Sequence, residues 1–174
     1  MSKLTSDLLR TILIEIFFAE ADRLAFGKYI VPKQGNWYNP QDTKTDKIAT
    51  WIGYNIPFRK GKIRARLDQD EEHNEENIVS EIVTIELQFI GAKAEEIALS
   101  VMHWNSRTDV HEAFSVVSGQ LFDEEVRVIQ SIYKQDGLNT IYAYNIKRRL
   151  MCENTQLTGA SQLLHFTASG QVIS

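Results

Sequence analysis

The chain has 174 residues, 43% of them hydrophobic and 24% charged, with 19 Lys and Arg against 23 Asp and Glu for a formal net charge of −4. That is one domain's worth of sequence, long enough to bury roughly 70% of its unfolded surface without a metal or disulfide staple. The acidic balance argues against a dedicated nucleic-acid binder, the single Cys152 excludes an intramolecular disulfide, and three prolines with nine glycines argue against long disordered linkers.

The first predicted element is a helix starting at Thr5 or Ser6, either of which can cap free amide groups, with Asp7 favourable in the first turn. Leu9, Ile12, Leu13, Ile16, Phe17 and Leu24 repeat at helical spacing, and Gly27 is the expected stop. The apolar run from Ile12 to Ala19 is too short for a membrane span, which needs about 20 such residues. Glu15 interrupts the run, so it does not read as a secretory signal either. Residues 28–46, with Pro32, Gly35 and Pro40, read as an irregular crossing segment in which Trp37 and Tyr38 are anchors. A β-rich stretch follows from about Lys47 to Phe58, with Pro57 marking its end or an edge position.

The next segment is sorted by sign. Arg59, Lys60, Lys62, Arg64 and Arg66 form a basic block, and Asp68, Asp70, Glu71, Glu72, Glu75 and Glu76 follow as an acidic one. Charge blocks of this kind are solvated, so 59–77 is expected to be a protruding arm or long hairpin. From Ile82 to Phe89, apolar and polar residues alternate as in a strand covered on one side. Gly91 ends it, and Ala94, Ile97, Ala98, Val101 and Met102 open an amphipathic helix. The pattern pauses at Asn105-Ser106-Arg107 and resumes after Thr108, so the helix is expected to break there. Two strands follow, about Val126 to Tyr133 and Thr140 to Cys152, joined through an Asp136-Gly137 hairpin signal. In the second, Tyr142, Tyr144, Ile146, Arg148, Leu150 and Cys152 share a face. Residues 155–174, with Leu163, Leu164, Phe166, Val172 and Ile173 as apolar anchors, read as a tail ordered by a partner. The expected architecture is α+β: one domain over 1–154, with helices on one face of a small, mostly antiparallel sheet, the charged arm, and the 155–174 tail.

Chemistry-bearing patterns are sparse. His73, His103, His111 and His165 match no zinc spacing, and the acidic run lacks the ligand alternation and central glycine of a calcium loop. There is no G-x-S-x-G elbow and no glycine-rich phosphate loop. Cys152 reads as a small core residue. No catalytic, cofactor or metal site is therefore expected. The two-signed arm points instead to self-assembly, the basic part of one copy meeting the acidic part of another.

Val83-Thr84-Ile85-Glu86-Leu87-Gln88-Phe89-Ile90-Gly91-Ala92-Lys93-Ala94, followed by Ile97-Ala98, resembles the strand–glycine–helix unit of tailed-phage neck or tail-terminator proteins. The order of elements over residues 5–153 agrees with it, including a final strand bearing Lys147-Arg148-Arg149. The resemblance implies a virion structural protein, not an enzyme, forming a homo-oligomeric ring, usually a hexamer. Such a ring caps the tail tube and joins the tail to the head-side connector, with tube and sheath proteins as partners and DNA passing through without specific binding. It would be assembled in the host cytoplasm and would have no membrane partner. The candidate subunit interface comprises the eleven charged arm residues named above together with Arg148. Alternatives are another head–tail completion or baseplate adaptor, a small metal-dependent hydrolase using the acidic arm, and an adaptor binding peptide on a sheet edge.

Overall fold

The computed structural model describes residues 3–33, 50–69, 75–122, 125–136 and 139–158. Their order is α1 (Ser6–Phe17), α2 (Arg23–Phe26), β1 (Ile30–Pro32), β2 (Trp51–Gln69), β3 (Glu75–Ile90), α3 (Ala94–Met102), α4 (Thr108–Ser115), β4 (Gly119–Leu121), β5 (Val128–Asp136) and β6 (Asn139–Thr158), with short 3-10 turns between several of them. The fold is α+β, with six strands in one open sheet. β1 runs parallel to β2, and every other pairing is antiparallel. β3 and β6 are central, and β4 and β5 share the outer edge of β6 at different heights.

Alternation in β3 decides which side is covered. Val83, Ile85, Leu87 and Phe89 are fully buried against Leu9, Ile12, Leu13 and Ile16 of α1, Ala98 and Val101 of α3, and Val110 and Phe114 of α4. Trp104, in the turn between α3 and α4, sits among them, 5.7 Å from the Phe17 ring and 6.2 Å from that of Phe114. Gly91 leads from β3 towards α3 with φ 130°, a conformation that a side chain makes costly. Gly119 has a different reason: a Cβ there would lie 3.0 Å from the Leu150 side chain and 3.1 Å from the Phe114 carbonyl.

Several expectations are corrected. The first helix ends at Phe17, ten residues before Gly27, because Phe18 and Ala19 turn extended. Leu24, assigned by its spacing to the buried stripe, is 99% exposed. The chain re-enters through an aromatic stack of Phe18, Phe26 and Tyr29, held to α1 by Arg10, whose guanidinium donates to the carbonyls of Gly27 and Ile30. The break in the later helix is where the sequence placed it: α3 stops at Met102, a 3-10 turn spans Trp104–Ser106, and α4 follows. Asp136 pairs with Asn139 around the hairpin connection. Strand β6 runs to Thr158, so residues 155–158, expected to begin the tail, are sheet. Trp37, Tyr38, His73, His165 and the tail anchors lie outside the described residues.

Cys152 is buried in the core, as its position on the covered face of β6 predicts. Burial, followed by the nearby Glu81 carboxylate, pushes its thiol up to about 11, with Arg59 opposing. Stability linked to this thiol is fully present below its ordinary value of 9.0 and declines as pH rises through 11. Native-state alkylation at pH 8 is expected to be about 100-fold slower than in denaturant from thiolate fraction alone. A native rate equal to the denatured one would show that the thiol is open to solvent.

Candidate assembly surfaces

The long strands outrun the rest of the fold. β5 leaves β6 at Ile146, and β4 leaves it at Cys152. Beyond that point β2, β3 and β6 continue, with Ser80 opposite Glu153 and Glu75 opposite Thr158. The extension adds roughly 20 Å of ladder at about 3.3 Å per residue. The arm expected as a hairpin is thus three-stranded, because β6 pairs along the free edge of β3.

Backbone register locates the arm's charged positions. Lys62 pairs with Ser80, Arg64 with Ile78, Ala65 with Asn77, and Gln69 with Glu75. Lys62 and Arg64 therefore occupy the proximal stretch, Asp68 and Glu75 the distal one, and Arg66 and Glu76 the rung between them. By backbone position the two signs are graded along the arm, meeting where Arg66 and Glu76 both adjoin the Ala65–Asn77 pair. Asp70, Glu71 and Glu72 lie outside the described residues.

Two candidate interface residues belong to the body instead. Arg59 is half-buried, pairs with Glu81 at 3.2 Å and donates to the Leu4 carbonyl, tying β2 to the N-terminus. Arg148 is 0% exposed and lies on the helix-covered face, so it is not presented to another copy. Its guanidinium donates to the Val101 carbonyl at the end of α3 and to Asn105 Oδ1, and it lies 5.9 Å from the Trp104 ring centroid. The covered face of β6 places it there, and the carbonyl end of a helix favours a cation.

The opposite face of the sheet is buried at one end, where Gln88, Ile90 and Ala143 lie, and is more open towards the arm. Glu86 on β3 pairs with Lys33 at 3.5 Å and Lys147 at 3.7 Å. Gln88 donates to Asn145 Oδ1 at 2.8 Å, and Asn145 donates to Ser131 Oγ at 2.9 Å, a polar ladder across three strands. Towards the arm the character changes. Phe58, Thr84 and Arg149 share one rung, and Lys60, Ile82 and Met151 the neighbouring one. Phe58 is 55% exposed there. Arg149 also lies 5.1 Å from the Phe122 ring centroid. Hydropathy alternation had no means of singling out this patch, because Phe58 and Met151 come from strands distant in sequence.

A groove of about 570 Å³ opens on the helix side between Phe18, Phe26, Ile52 and Ile97, with Asp22, Lys93, Ser100 and Arg107 among its polar groups. Those groups are held separately. Arg107 pairs with Asp109, which lowers the carboxyl and raises the guanidinium, and Ser100 donates to the Ile97 carbonyl at 2.7 Å. No nucleophile–base pair forms among them. Among the described residues, no three His, Cys, Asp or Glu side chains gather as a metal site, and no helix is long and apolar enough to cross a membrane.

No protein-family model matches the chain, and no curated protein matches it.

Proposed function

We propose that the chain is a non-enzymatic assembly protein, a ring-forming terminator or neck component that caps a phage tail tube and joins it to the head-side connector. The observation that carries this reading is the three-stranded arm, which extends beyond β4 and β5 with Lys62 and Arg64 nearest the body and Asp68 and Glu75 furthest from it. The arm offers unlike charges at different distances from the body, as a heterologous contact between identical subunits requires. The strand–glycine–helix resemblance supplies the tail assignment.

Light scattering on the purified chain is the test. Six copies of a 20.0 kDa chain give a particle of about 120 kDa. Arg64→Glu together with Arg66→Glu is expected to raise the concentration for half-assembly at least tenfold, while the melting temperature stays within about 3 °C. A wild-type chain that remains monomeric at all concentrations, and also on purified tail tubes, defeats the reading. Gold labelling of particles at the tube end, as against on heads alone, separates a terminator from another connector.

A further inference from the structure

We infer that the uncovered patch at the base of the arm docks on the outer ridge of α3 in a second copy of this chain. This rests on the ring reading above and names the surfaces through which the ring would close. The patch consists of Phe58, Lys60, Ile82, Thr84, Arg149 and Met151, two adjacent rungs across β2, β3 and β6. It carries two cations, of which Arg149 also stacks on Phe122, and two exposed apolar side chains, with Glu153 on the next rung of the same face.

The opposite side of the molecule offers the complement. Residues 93–118 hold Lys93 and Arg107 against Glu95, Glu96, Asp109 and Glu112, a formal charge of −2. Residues 6–29 hold Arg10, Arg23 and Lys28 against Asp7, Glu15, Glu20 and Asp22, only −1. Within the more acidic segment, Arg107 already engages Asp109. On α3, Glu95 lies one turn from Leu99, which is 46% exposed, and two turns from the exposed Met102, with Glu96 one turn from Leu99 beside it. Tyr144 holds Glu95 in place by donating from its hydroxyl at 3.3 Å. An acidic ridge with two apolar side chains thus lies on one side of the sheet, and a basic patch with two apolar side chains on the other. Unlike patches on opposite sides of one subunit make a head-to-tail contact, which closes into a ring when the rotation between subunits permits.

The experiment reverses each surface separately and measures assembly by light scattering. Lys60→Glu with Arg149→Glu, and Glu95→Lys with Glu96→Lys, are each expected to abolish assembly at concentrations where the wild type is fully assembled. An equimolar mixture of the two variants is expected to restore it, because each reversed surface then meets a reversed partner; restoration also demonstrates that both variants are folded. Lys60→Gln with Arg149→Gln provides a gentler check, with assembly weakened and its salt dependence reduced. If the wild type assembles and either reversal variant assembles equally well, this interface is wrong while the ring reading stands. Unchanged melting curves with no restoration on mixing overturn it in the same way. A wild type that never assembles removes both. Binding of a short DNA duplex that is lost in the Lys60/Arg149 variant, with assembly unaffected, would reassign the patch to nucleic acid and overturn the inference.

Discussion

Replacing Arg148 with Met is expected to destabilise the chain by about 2–4 kcal/mol, the loss of charge-assisted hydrogen bonds that leaves a buried carbonyl without its donor. The guanidinium is fully buried, and two of its acceptors are the Val101 carbonyl and Asn105 Oδ1. Methionine fills much of the volume but donates nothing, so the buried Val101 carbonyl would lose that donor, while Asn105, which is exposed, would lose its tie to β6. The end of α3, the turn carrying Trp104 and the start of α4 all converge on this group, so the loss is felt in three elements. At about 2–4 °C per kcal/mol for a chain of this size, the melting temperature should fall by roughly 10 °C. Arg149→Met, one residue along and exposed on the opposite face, should cost less than about 1 kcal/mol. Thermal melts of the two variants side by side decide the matter. Equal melting temperatures would refute the structural role assigned to Arg148.

That contrast marks how far the sequence could be read. Period-two alternation placed Arg148 on the same face as Ile146, Leu150 and Cys152, all of which are buried. Charge nonetheless argued for a surface role, because what makes a buried guanidinium tolerable here is supplied by residues more than forty positions away. The break at Asn105–Arg107 was legible from the pause in the apolar stripe, whereas the burial of Trp104 within that break was not. An indole in a polar turn carries no periodic signal.

The end of the first helix was hidden for a related reason. Leu24 continues the helical spacing, but the backbone leaves the helix at Phe18 and the aromatic packing of Phe26 and Tyr29 governs the rest of the segment. The far part of β6 was under-read. Asn154-Thr155-Gln156-Leu157-Thr158 shows no alternation, and it is strand because β3 presents a free edge along which it can pair. Backbone pairing of that kind leaves little trace in side-chain pattern. The arm's charges were legible as blocks, but their separation along its length needed the register.

The arm also supplies the largest expected effect on assembly. Replacing residues 63–79 with Asn-Gly would join Lys62 directly to Ser80, the pair that register already places opposite each other, through a two-residue hairpin turn. Truncating the chain after Glu153 in the same variant removes the β6 residues that would lose their β3 partners. The described core runs from Leu4 to Cys152 through α1, α3, α4 and the body portions of the strands, and the replacement keeps every β2–β3 pairing up to Lys62–Ser80 and every β3–β6 pairing up to Ser80–Glu153. With those pairings kept, the shortened chain is expected to fold, with native circular dichroism and a melting temperature within about 5 °C of wild type. Assembly is expected to fall by more than a hundredfold in half-assembly concentration, because the separated charges and extended ladder are gone together. A shortened chain that assembles at the wild-type concentration would show that subunit contacts lie wholly on the body. One that fails to fold would show instead that the arm contributes to the stability of its own sheet, contrary to the division between body and arm drawn from the strand pairings.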